Sequence, residues 1–73
     1  MSIEPFLKSE TFDPEFVETM NQALRDACKM LGILARLHDP TVEVLAMRII
    51  KQARAGVQDH RLLTAAAVDG LGS

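Results

Sequence analysis

FVETMNQALRDACKMLGILARL, residues 16–37, is the stretch on which the fold turns. Wound as a helix at about 100° per residue, it carries two apolar seams. One runs through Val17, Met20, Leu24, Ala27, Leu31 and Leu34, alternately three and four apart. The other runs through Phe16, Ala23, Met30 and Leu37, seven apart. With Cys28 at the far edge they form an arc roughly half the circumference wide, where a surface helix needs a stripe of about 100°. Such a helix is expected to pack on two sides.

The flanking residues set its limits. In TFDPE, Asp13 can accept hydrogen bonds from the free amides of a helix start, and Pro14 fits the first helical position, where a missing N–H costs nothing. Phe12 and Val17 occupy the two positions of a hydrophobic staple. HDPTVE repeats the device with Asp39 and Pro40, and a residue before proline avoids the helical region, so the first long helix is expected over 14–37. Gly32 then lies inside it, at a cost of about 1 kcal/mol relative to alanine, either simply tolerated or permitting a bend or close crossing. In ARAGVQDHR, Gly56 suits the left-handed residue beyond a helix end and Asp59 the next cap. A second helix over about 40–55 and a third over about 60–69 follow, the last ended by Gly70 and Gly72. No alternating strand pattern or repeat is present. The fold class expected is all-α: one three-helix domain across 1–73, with an irregular arm at 1–11.

Helix lengths of roughly 36, 24 and 15 Å follow from the rise per residue. The second helix shows one inward face, Val42, Leu45, Ala46, Ile49, Ile50 and Ala53, while the alanine-rich third is apolar nearly all round. Two short helices cover a wide, long arc poorly. A chain of 73 residues buries only about 60% of its unfolded surface, and a lone Cys28 cannot form an internal bridge, so a second subunit is the natural support. A two-fold dimer, completing a helical bundle, is therefore expected through Phe16, Met20, Ala23, Met30 and Leu37. The competing arrangement is a monomer in which the third helix and the arm residues Ile3, Phe6 and Leu7 fold over that seam.

Net charge is −2, which points neither to nucleic acid nor to a membrane surface. The start MSIEPFLKSE has no long apolar run, so a cytoplasmic protein without a membrane span is expected. Cys28, His38 and His60 lack the spacing of metal ligands, and Cys28 reads as a small core residue. No catalytic group, cofactor or metal is expected, and an enzyme ranks last. Arg48, Lys51 and Arg54 line the outer face of the second helix with Val44 and Met47 interleaved, either as a solvated face or as a surface for an acidic protein partner. Helices two and three outline a helix-turn-helix whose second helix offers Arg61, His60 and Thr64. Nucleic acid is nonetheless the weaker reading, because a recognition helix should be polar outside.

FDPEFVETMNQAL followed by DPTVEVLAMRIIKQARAGVQDHRLLTAAAVDGL resembles a group of short bacterial all-helical proteins with FDPE near the start and a later LAxRII-xxA-xxG-xxD-xxxL pattern. The matching residues are caps and core positions: Asp13, Pro14, Leu45, Ile49, Ile50, Gly56, Asp59 and Leu63. The resemblance implies helix placement and carries no substrate, cofactor or site. A small self-associating helical interaction or adaptor module is the function expected, with a DNA-binding regulator as the alternative.

Overall fold

A computed structural model describes residues 3–7, 11–34, 36 and 38–71. It contains four helical segments, α1 (Glu4–Leu7), α2 (Pro14–Leu31), α3 (Pro40–Arg54) and α4 (His60–Val68), with no strand among the described residues. α4 packs against both α2 and α3, which also touch each other, and α1 lies on α3. The whole measures 31 × 23 × 16 Å. Among the described residues no helix is long and apolar enough to cross a membrane.

All three long helices start where the Asp residues place them. Asp13 Oδ1 accepts from the Glu15 amide at 2.9 Å, Asp39 Oδ1 from Thr41 at 2.8 Å and Asp59 Oδ1 from Arg61 at 2.8 Å. Each bond satisfies one of the amides that a first turn leaves without a helical partner. Phe12 meets Phe16 edge to face, ring centroids 5.6 Å apart at 81°, and fixes the chain's entry into α2.

The end of α2 corrects the sequence reading. The helix stops at Leu31, not at residue 37, because Gly32 turns left-handed at φ 67. Its amide donates to the Lys29 carbonyl at 3.1 Å and the Ile33 amide to that of Cys28 at 3.0 Å, the two bonds of a Schellman motif. Half-buried Ile33 packs on the core and supplies the apolar contact that accompanies this motif. Apolar periodicity does continue past Gly32, but a closed local hydrogen-bond set outweighs it. Gly56, at φ 96, ends α3 in the same way, with Val57 donating to Gln52 at 3.0 Å. Ala35 and Leu37 lie outside the described residues.

The arm is the second correction. Glu4–Leu7 forms a helical turn rather than an irregular strap, which raises three helices to four helical segments. Ile3, Phe6 and Leu7 stand at helical spacing, so one turn aims all three inward: Ile3 and Leu7 are buried and Phe6 half-buried. The Ile3 amide donates to Asn21 Oδ1 of α2 at 2.6 Å.

Together with Met20 and Leu24 of α2, Val42, Leu45 and Ile49 of α3, and Leu63 of α4, Ile3 makes the fully buried centre. Ala23, Ala27, Ala46 and Ala67 are buried beside them and allow the helices to approach closely. Each large side chain withdrawn from water contributes about 1.5–3 kcal/mol. Most of the wide arc of α2 is thus met by α3, α4 and the folded-back arm, while Met30 stays exposed.

Candidate interaction surface

The inward positions of α3 are Val42, Leu45, Ala46, Ile49, Ile50 and Ala53, all buried. At 100° per residue the opposite side presents Glu43, Val44, Met47, Lys51 and Arg54. There Val44 is 43% and Met47 52% exposed, side by side in an open groove of about 530 Å³ bounded by Glu43, Arg48, Lys51 and Arg54. An apolar floor with charges at its rim is the composition of a protein contact surface.

Arg48 does a different job from the one its sequence position suggested. Half-buried, it sends Nη1 to the carbonyl oxygens of Ala67 at 3.2 Å and Asp69 at 2.7 Å. Those carbonyls belong to the end of α4, where the helix dipole is negative and oxygens lack helical partners. The chain then turns, the Leu71 amide donating to Val68 O at 2.9 Å. Arg48 therefore ties α3 to α4, and of the trio Arg48, Lys51 and Arg54 it is withdrawn from a charged partner face.

The expected α2 interface is likewise broken up. Met20 and Ala23 are completely buried in the protomer's own core, Phe16 is half-buried against Phe12, and only Met30, at 66% exposure, faces water. Leu37, the fifth member, is outside the described residues. Met30 borders a groove of about 420 Å³ between α2 and α4, with Asp26, Lys29, His60, Arg61, Thr64 and Ala65. Met30 is the one large hydrophobe among the residues lining that groove, whereas Val44 and Met47 share theirs, and a single surface hydrophobe needs no partner.

Asp26 and His60 of that groove belong to a polar chain. His60 Nε2 lies 3.4 Å from Asp26 Oδ2, Gln22 Nε2 donates to Asp26 Oδ1 at 2.9 Å, and Arg25 Nη2 to Gln22 Oε1 at 3.0 Å. Thr64 is buried and donates Oγ1 to the His60 carbonyl at 2.7 Å. Of Arg61, His60 and Thr64, the three side chains a recognition helix would offer, two are thus engaged within the protein, and exposed Leu62 stands beside Arg61.

Cys28 is a free, buried thiol whose pKa is pushed up by burial and then by the Asp39 carboxylate, both of which disfavour the reactive thiolate. Among the described residues no group of three or more His, Cys, Asp and Glu side chains could hold a metal ion. Sequence reasoning noted Val44 and Met47 only as interleaved residues and passed over Glu43. The signal available was their 43–47–51 spacing, four residues each way from Met47. No protein-family model matches the chain, and neither a curated protein nor a solved structure matches it.

Proposed function

We propose that this protein is a small helical protein–protein interaction module that associates with itself, and that its contact surface is the outer face of α3. The observation that carries the reading is the pair Val44 and Met47, half in water on a rigid 15-residue helix and framed by charges. Loose apolar side chains on a surface are ordinary, but two in one groove with a charged rim match the core-and-rim layout of an interface. Support also comes from rigidity: α3 contributes six buried side chains to the core and is anchored to α4 by Arg48, so the face is presented without a folding cost on binding. The α2 seam does not serve this role, since Met20 and Ala23 are already used inside.

The test is sedimentation velocity from about 10 µM to 1 mM, a span suited to weak, small interfaces. Mass should rise above the 8.0 kDa chain with concentration. Met47→Asp should hold it at the monomer value, while Met30→Asp leaves association unchanged. Constant monomer mass, or a response to Met30→Asp alone, would overturn the reading.

A further inference from the structure

We infer that the occupant of the α3 groove is a second copy of α3 running antiparallel, with the two-fold axis passing at Met47. This rests on the self-association proposed above and specifies its geometry. Glu43 lies four residues before Met47 and Lys51 four after, so each sits about 6 Å from it along the helix axis. Around the axis the three fall within about 80° of one another, on the exposed side. The charge pattern is therefore antisymmetric about the methionine.

That antisymmetry selects the arrangement. A parallel pair in register would set Glu43 against Glu43 and Lys51 against Lys51. An antiparallel pair centred on Met47 sets Glu43 of each copy level with Lys51 of the other, producing two opposite-charge contacts from one patch, as a closed two-fold interface requires. Helix axes 8–10 Å apart leave these side chains within reach. Both are available: the Glu43 and Lys51 side chains are exposed, and neither makes a side-chain hydrogen bond or ion pair among the described residues. Met47 against Met47 suits the axis, because a flexible thioether adapts to its own copy. Val44, on the same edge as Lys51, gives the other copy's lysine stem an apolar bed while its ammonium reaches Glu43. One helix face buries less than the ~1,200 Å² of a standard interface, so the pairing is weak and reversible.

Charge exchange tests it. Sedimentation equilibrium would compare the full chain with Glu43→Lys, Lys51→Glu, the double variant, and an equimolar mixture of the two single variants, each verified as helical by circular dichroism. Each single variant places like charges opposite each other twice and should weaken self-association by roughly tenfold or more. The double variant restores both contacts and should recover the original association. The mixture should associate more strongly than either component, since in the mixed pair every contact again joins opposite charges. Single variants that associate within twofold of the parent, or a double variant that fails to recover, would overturn the antiparallel register. If Met47→Asp abolishes association while the charge exchanges have no effect, this geometry is wrong and the α3 contact surface stands. A chain that remains at 8.0 kDa at 1 mM removes both.

Discussion

Replacing Gly32 with alanine has opposite consequences in the two possible settings of that residue. Inside a continuous helix, alanine would stabilise the protein by about 1 kcal/mol, the difference in helix propensity. In the structure Gly32 sits at φ 67 beyond the end of α2, with open space where a Cβ would project, so the whole cost comes from the backbone. A left-handed L-residue costs about 1–2 kcal/mol, and the lower entropy of the unfolded alanine chain returns about 0.4–1. The difference spans about 0–1.6 kcal/mol and centres on a loss of about 0.8 kcal/mol. A domain of this size shifts by about 4–8 °C per kcal/mol, so that central loss should lower the melting temperature by about 3–6 °C. Urea titration followed by circular dichroism, with thermal melts alongside, reads both sign and size. A rise in stability would refute the Schellman ending and restore the long continuous helix.

Other consequences follow from the same packing. Arg48→Ala removes two charge-assisted bonds to the end of α4 and should cost about 1.5–3 kcal/mol in urea unfolding, with Arg48→Lys recovering part; an unchanged midpoint would contradict the anchoring role. Ile3→Ala should cost about 2–3 kcal/mol, because Ile3 is wholly buried, whereas a loose arm would lose almost nothing. Cys28 should resist alkylation at neutral pH in the native state and react readily once denaturant is added, and equal rates would contradict its burial. Its raised pKa also sets a pH dependence. The native state prefers the protonated thiol, so this contribution is complete below the unfolded thiol value and is lost as pH climbs through the higher folded one. Cys28→Ala should flatten that alkaline decline.

Where sequence reading succeeded, the relevant physics was local. Asp13, Asp39 and Asp59 cap their helices because a carboxylate two residues before a free amide can bond it in any context, and Pro14 and Pro40 fit only the first turn. The inward face of α3 was equally legible, since its apolar and polar residues separate cleanly around the axis. Gly32 was misread because Ile33 and Leu34 prolong the apolar pattern, although Gly32–Ile33 is the same glycine–aliphatic pair as Gly56–Val57, which does mark an end. The arm was misread for a different reason. A single turn such as Glu4–Leu7 has too few residues to show periodicity, and it forms because Ile3 and Leu7 find space in the core and Asn21 accepts the Ile3 amide. The role of Arg48 was beyond sequence alone, as its partners are backbone carbonyls 19 and 21 residues away. Read without the arm and the full reach of α4, α2 is short of cover, and the excess was assigned to a second subunit; part of that cover comes from within the protomer, where Met20 and Ala23 are buried.

Isotope-filtered NOE spectroscopy on an equimolar mixture of labelled and unlabelled protein, near 1 mM, would identify which side chains touch across the contact. Cross-peaks between copies from the Met47 and Val44 methyl groups, and from Lys51 to Glu43, are predicted. Cross-peaks confined to Met30 or Phe16 would contradict the assignment to α3.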